Sequence, residues 1–298
     1  MIRIGAHVGV GGGWPEAADY AASVGCECIQ VFSKSPRTWR ASPLDPSTVD
    51  AFRDRLDSHG IGPVFVHTAY LINLGSDDHA LLERSVEALA VELSRAAVIR
   101  AAGLVLHVGT GGDLPEETAR ERIAASILDS YGRATPGGRR VPLLLENTAG
   151  AGTTFGGDLG ALGRLVSAVS AGGPPCAVCL DACHAHAYGY PLHTPGDWTA
   201  AIHEIATAAG ADAVRLVHAN DALHARGSHK DRHAWIGEGE LGQEAFASMF
   251  ATPGLEGVCA IIEMPGETPF KDAENISRLK RLRGSSGALG EATLDGDQ

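Results

Sequence analysis

Three segments, Leu180-Asp181-Ala182-Cys183-His184, Val217-His218-Ala219-Asn220-Asp221 and Asp231-Arg232-His233, set His and Asp at the ends of apolar runs or beside glycine-rich loops. Four more runs close the same way: Val64-Phe65-Val66 on His67, Leu104-Val105-Leu106 on His107, Leu143-Leu144-Leu145 on Glu146, and Ala260-Ile261-Ile262 on Glu263. One His after an apolar run is ordinarily a hydrogen-bonded structural residue. Repetition along the chain turns the pattern toward metal chemistry. Imidazole and carboxylate without thiolate suit catalytic zinc, manganese or iron, whereas structural zinc more often recruits cysteine. The nine donors, His67, His107, Glu146, Asp181, His184, His218, Asp231, His233 and Glu263, exceed the needs of one ion. A cluster is the simpler expectation, with a carboxylate such as Glu146 bridging ions about 3.5–4 Å apart, the separation used for in-line displacement at phosphorus. Such ions lower the pKa of water to about 7 and offset charge on the phosphoryl and leaving oxygens, so the pattern points to phosphoester hydrolysis.

Donors so far apart in sequence need a fold that converges them. Uninterrupted Val, Leu and Ile runs predict strands buried on both faces, as in a parallel sheet, and the polar residue closing each run then sits at the strand's carboxyl end. Strands are predicted near 2–7, 27–32, 63–67, 104–107, 142–146, 176–181, 213–218 and 258–263. Helical spacing lies between them, most clearly Leu82, Val86, Leu89, Leu93 and Ala97, and Ile123, Ile127 and Tyr131 after the acidic start Pro115-Glu116-Glu117. Eight such alternations predict an α/β fold, a single (β/α)8 TIM barrel with the metal site at the C-terminal ends of the strands. A doubly wound open sheet would spread the donors along a crevice instead. No linker divides the body, so residues 1–283 are expected to form the barrel domain, while 284–298, opening on Gly284-Ser285-Ser286-Gly287 and lacking apolar period, read as a flexible, dispensable tail.

At 298 residues, with 44% hydrophobic and 20% charged residues, the chain can bury a sizeable core. No apolar stretch reaches the roughly 20 residues needed to span a bilayer, and Met1-Ile2-Arg3-Ile4 leads straight into a strand pattern, so a cytoplasmic protein is expected. Cys26, Cys28, Cys176, Cys179, Cys183 and Cys259 fall mostly in apolar runs and are expected to remain reduced. Cys176 and Cys179 are three apart on a strand, point to opposite faces and are not expected to share a metal. The net charge of −12 argues against indiscriminate nucleic-acid binding but leaves room for a local basic groove, and bound cations would offset carboxylate charge in one cleft.

Longer motifs identify a family. Gly5-Ala6-His7-Val8, His67-Thr68-Ala69-Tyr70-Leu71-Ile72-Asn73-Leu74-Gly75, Leu145-Glu146-Asn147-Thr148-Ala149-Gly150, Leu180-Asp181-Ala182-Cys183-His184, His218-Ala219-Asn220-Asp221 and Gly227-Ser228-His229-Lys230-Asp231-Arg232-His233, followed by Gly237-Glu238-Gly239, occur in order. Over roughly residues 1–282 the chain resembles endonuclease IV, the metal-dependent apurinic/apyrimidinic endonucleases of base-excision repair. The resemblance implies three zinc ions, with manganese able to occupy the same ligands. It also implies cleavage of duplex DNA on the 5′ side of an abasic site to leave a 3′ hydroxyl, with trimming of blocked 3′ ends as an accompanying activity. Carried over by position, His67, His107 and Glu146 hold one ion; Glu146, Asp181, His218 and Glu263 a second; His184, Asp231 and His233 a third. Glu146 is also the expected catalytic residue, orienting or deprotonating the attacking water. Arg37, Tyr70 and Leu71 match the side chains that enter the duplex, where an aromatic and an aliphatic wedge replace lost stacking. No membrane and no obligatory protein partner are implied.

Two places depart from the family's pattern. Pro36 stands where a polar residue is common, and its fixed φ and missing amide donor bear on the reach of that loop. His186 and Tyr188 replace smaller or apolar residues. His7 is expected to be a hydrogen-bond partner of the ligands, and His59, His79, His193, His203, His224 and His229 to be solvated. A sugar isomerase on a similar barrel is the enzymatic alternative, although it needs neither the Asp231-x-His233 pair nor an exposed Tyr70-Leu71 wedge; a damage-binding protein without turnover is the non-catalytic one.

Overall fold

The computed structural model of the protein describes residues 1–134, 140–263 and 269–292. In chain order the elements are β1 (Arg3–Val8), α1 (Trp14–Ser23), β2 (Cys28–Phe32), α2 (Pro46–His59), β3 (Val64–His67), α3 (His79–Ile99), β4 (Gly103–Leu106), α4 (Glu116–Arg133) and β5 (Leu143–Glu146). There follow α5 (Leu159–Ala171), β6 (Cys176–Asp181), α6 (Ala182–Tyr188), α7 (Pro195–Ala209), β7 (Val214–His218), the short β8 (Asp221–Ala222) and β9 (His233–Ala234), α8 (Gly242–Phe250), β10 (Cys259–Ile262) and α9 (Pro269–Ala292). Eight strands close in the order β1-β10-β7-β6-β5-β4-β3-β2, all parallel, and β8 and β9 form an antiparallel pair outside the barrel. The closed barrel was the expectation, and the open sheet is ruled out.

Side-chain alternation explains why the runs are apolar throughout. On β5, Leu143 and Leu145 join the outer core shared with the helices, and Leu144 joins an inner layer with Phe65, Val105, Cys179, Leu216 and Ile261. Residues two apart share a face, so the position two beyond each inner-layer residue lies in the next layer toward the carboxyl end. That layer contains His67 after Phe65, His107 after Val105, Glu146 after Leu144, Asp181 after Cys179, His218 after Leu216 and Glu263 after Ile261. The polar residue closing each run thus faces the barrel axis.

Glycine admits one close strand contact. A Cβ on Gly5 would stand 1.7 Å from the Cys28 carbonyl oxygen, so β1 and β2 meet this closely only without a side chain there. The helices close around the barrel on apolar faces such as Val86, Leu89 and Leu93 of α3, with N-terminal amides capped by Asp45, Asp78, Asp158 and Thr194.

Two elements were not foreseen. The helix α6 begins directly after Asp181, and the β8–β9 pair carries Asp221 and His233. His107 and Glu263 each fall one residue beyond their strands, β4 and β10, where the expected spans had included them. The helix α9 crosses the expected domain boundary at 283; residues 293–298 of the expected tail, and 135–139 between α4 and β5, lie outside the described residues. Among the described residues no helix is long and apolar enough to cross a membrane.

Candidate metal centre

At the carboxyl end of the barrel His67, His107 and Glu146 bring ligand atoms within 4.8 Å of one another, as do Glu146, Asp181, His218 and Glu263, with Glu146 common to both groups. Glu146 is fully buried; its Oε2 lies 3.1 Å from His67 Nε2 and 3.0 Å from His107 Nε2, and its Oε1 lies 2.8 Å from His218 Nδ1. The third expected set also converges, because Asp231 Oδ1 is 3.2 Å from His184 Nε2 and 3.3 Å from His233 Nε2. Two further groupings surround it: Asp181 with His184 and His233, and Cys183 with Asp231 and His233. The Cys183 thiol donates to the Arg232 carbonyl at 3.6 Å, and burial pushes its pKa up. Cys179 faces the barrel interior while Cys176 packs with the outer core, on opposite faces as strand geometry requires.

The imidazoles are oriented by their far nitrogens. His67 Nδ1 is 2.8 Å from the Thr68 carbonyl, His184 Nδ1 is 3.0 Å from the Asn147 carbonyl and His233 Nδ1 is 2.8 Å from the Glu263 carbonyl. Anchoring one ring nitrogen on an acceptor leaves Nε2 with its lone pair toward the cleft, the arrangement usual for a metal-ligating histidine. His218 is turned the other way, donating from Nε2 to Gln30 Oε1 at 2.9 Å and presenting Nδ1 to Glu146 and Glu263. His233 Nε2 is buried without a hydrogen-bond partner even though Asp231 is near. Nitrogen and oxygen donors sharing carboxylates, buried at Glu146, Asp181, His67, His184 and His218 and with one orphaned nitrogen at His233, fit divalent transition-metal ions.

Charge follows the same geometry. Burial opposes ionisation of Glu146, but His107, His218 and His184 around it hold its carboxyl well below the usual carboxylate range. Glu263 and Asp231 are held low in the same way, against burial, by His218 and His7 for the first and by His184 and His233 for the second. Burial dominates at His107, pushing it down to about 4 against the pull of Glu146. At Asp181 burial wins and the pKa is raised.

Three amides and one acid, to which sequence reasoning gave no role, hold these donors. Gln30 is fully buried, donates from Nε2 to Glu263 Oε1 at 2.7 Å and lies 3.0 Å from His7 Nδ1. Asn147 clamps the backbone of Asp181, accepting from its N–H at 2.6 Å and donating to its carbonyl at 3.0 Å. Asn220 donates to Asp181 Oδ2 at 2.6 Å and accepts from the Glu263 N–H at 2.7 Å. Asp221, fully buried, accepts from the amides of Gly237, Gly239, Leu241 and Gly242. A Cβ on Gly239 would lie 2.4 Å from the Ala222 carbonyl oxygen, so this loop closes over β8 only with glycine. A signal for Gln30 did exist, since it follows Cys28 by two on β2 and shares the parity of the ligand layer.

His7 is such a partner, with Nδ1 3.1 Å from Glu263 Oε1. Of the histidines expected to be solvated, His59, His79, His193, His203 and His229 are exposed and His224 is half-buried; His229 Nδ1 also lies 3.0 Å from the Ala149 carbonyl. His186 is buried with neither ring nitrogen partnered, and Tyr188 stacks beside Tyr190.

Beside the centre, Arg37 is exposed on the loop after β2, and Tyr70, 62% exposed, and half-buried Leu71 lie on the loop after β3. The Tyr70 ring packs edge-on to Phe32 and at 5.8 Å from the His67 ring, so this loop abuts the donor layer directly.

The family of xylose isomerase-like TIM barrels matches residues 18–282. A probable endonuclease 4 of Methanoculleus marisnigri is 36% identical over 285 residues, 96% of this chain and 100% of that protein. One from Nitratidesulfovibrio vulgaris is 38% identical over 285 residues, 95% of this chain and 100% of that protein. Among solved structures, endonuclease IV from Thermus thermophilus superposes with a TM-score of 0.83 at 34% identity, covering 95% of this chain and 99% of that one. An L-ribulose 3-epimerase superposes with a TM-score of 0.71 at 15% identity over the whole of both chains, a likeness of fold alone.

Proposed function

Since the chain belongs to the endonuclease IV family of xylose isomerase-like TIM barrels, we propose that it is a DNA-repair phosphodiesterase that hydrolyses the backbone 5′ to abasic sites in duplex DNA and leaves a 3′ hydroxyl. The observation that carries the reading is the sharing of the buried Glu146 between two donor groups, with a third group around Asp231 beside them. In it His67, His107 and Glu146 would hold one zinc ion; Glu146, Asp181, His218 and Glu263 a second; and His184, Asp231 and His233 a third, with manganese able to take the place of zinc at one of them. When bound, such ions supply water activation near neutral pH and neutralise charge developing on the phosphoryl and leaving oxygens.

The chain's own residues supply the rest. Glu146, kept ionised by the histidines around it, is an acceptor able to orient the attacking water and take its proton. Gln30, Asn147 and Asn220 fix the carboxylates and His218 before substrate arrives, so little reorganisation accompanies the reaction. Arg37, Tyr70 and Leu71 enter the duplex beside the lesion; a nucleotide without its base costs less to turn out, which favours abasic sites. The same site is suited to removing blocked groups from 3′ ends, since the bond broken is again a phosphoester.

A duplex carrying one abasic analogue tests the proposal. Nicking on its 5′ side with a 3′ hydroxyl product is expected, abolished by chelation and restored by zinc. Binding without nicking would leave a damage-binding protein, and the absence of both binding and nicking would return the sugar-isomerase alternative. Elemental analysis should give close to three ions per chain; a ratio near one would remove the His184, Asp231 and His233 set.

A further inference from the structure

Glu92 lies in the middle of α3, 1% exposed, on a face otherwise made of residues such as Leu89 and Leu93. A buried carboxylate is costly unless its oxygens are engaged, and here they are engaged by two different loops. Ser33 Oγ, at the start of the loop after β2, donates to Oε2. The Ala69 N–H, on the loop after β3, donates to Oε1 at 3.3 Å. Lys34 Nζ is 3.6 Å from the same Oε1 on a side chain 4% exposed, and it donates in turn to the Thr38 carbonyl at 2.6 Å. The first loop is therefore anchored on both sides of Arg37, and the second immediately before Tyr70. Arg95, one turn further along α3, donates to the Ser33 and Ser42 carbonyls and so fixes the same loop again.

We propose that Glu92 is a positioning residue that ties the loops bearing Arg37 and Tyr70-Leu71 into one register, so that both engage the duplex at once. This rests on the reading that these loops contact DNA. A carboxylate serving only to seat α3 on the barrel would not need the side chain of one loop and the backbone amide of the other. Coupling the loops through one carboxylate presets their separation, which lowers the ordering cost of binding.

The test uses the full metal-loaded chain with Glu92→Gln, and with Lys34→Met/Glu92→Gln, which removes both buried charges together and avoids leaving one ion unpaired. Both variants should raise KM for the abasic-analogue duplex about tenfold or more while kcat stays within about twofold. Metal content per chain should be unchanged, and hydrogen exchange at the Ala69 amide should accelerate. A fall in kcat with KM unchanged, or wild-type KM in both variants, overturns the proposal. Arg37→Ala and Tyr70→Ala, measured alongside, separate the two ideas. If they raise KM and the Glu92 variants do not, the positioning role fails alone; if they too leave KM unchanged, the loops do not hold DNA and both readings fall.

Discussion

Glu146 has one oxygen facing His67 and His107 and the other facing His218. Replacing it with Gln keeps the volume but removes the charge that the three rings surround, so Glu146→Gln should lower kcat by about 10²–10⁴-fold, as expected for loss of a general base. The check is single-turnover nicking together with circular dichroism, and full activity in a folded variant would remove Glu146 from the mechanism. Gln30 tests how far the surrounding amides matter. It touches Glu263, His218 and the His7 ring nitrogen, so Gln30→Leu should weaken metal retention about 10–100-fold, measured by competition with a chelator. The candidate donors themselves were legible because their residue types are chemically conspicuous. Gln30, Asn147 and Asn220 were not, because an amide gains its role only from the atoms it faces.

At the scale of elements, barrel closure and loop closure depend on different residues. The β1–β2 contact tolerates no Cβ at position 5, so Gly5→Ala forces the strands apart and should cost about 3 kcal/mol or more, read from urea unfolding. The loop from Gly237 to Gly242 hangs on Asp221, whose carboxylate accepts four of its amides. Asp221→Ala leaves those amides unpaired and should cost about 2–3 kcal/mol, with loss of metal from the Asp231 and His233 set if β9 shifts. The barrel strands were readable as buried apolar runs of strand length. The pair β8–β9 was not, because strands of two residues carry no period, and α6 was hidden because its start is marked only by Asp181, which accepts from the His184 N–H as an N-cap.

At the scale of the whole molecule, α9 is tied back to the start of the barrel. Arg283 on α9 pairs with Glu27 at 2.7 Å and donates to the Ile2 carbonyl at 2.6 Å, joining the last helix to the first strands. Burial opposes ionisation of Glu27, but Arg283 and the Ile4 amide prevail and its pKa falls from 4.5 to about 2. A carboxyl depressed on folding contributes stability above its unfolded pKa and loses it as pH falls through the folded one. Arg283→Met should therefore cost about 1 kcal/mol at pH 7, after allowance for solvent screening of this partly exposed pair, and the difference from wild type should shrink between pH 4.5 and about 2. Truncation offers a parallel check: a chain ending at Arg283 should keep this stability and its nicking activity, whereas one ending before it should lose the increment.

The sequence by itself determined the fold class and which His, Asp and Glu side chains gather at the carboxyl end of the barrel, because parity along buried strands converts a polar residue after an apolar run into one facing the barrel axis. It also determined the family, through motifs long enough to be specific. Only the tertiary structure decided which donors share an oxygen of Glu146, that Asp181 and Cys183 adjoin the His233 group, and that Glu92 spans two loops. Those facts depend on how far apart eight strands stand around a closed ring and on which way loops fold back over it. Such distances arise from packing among residues remote in sequence, and no local pattern encodes them.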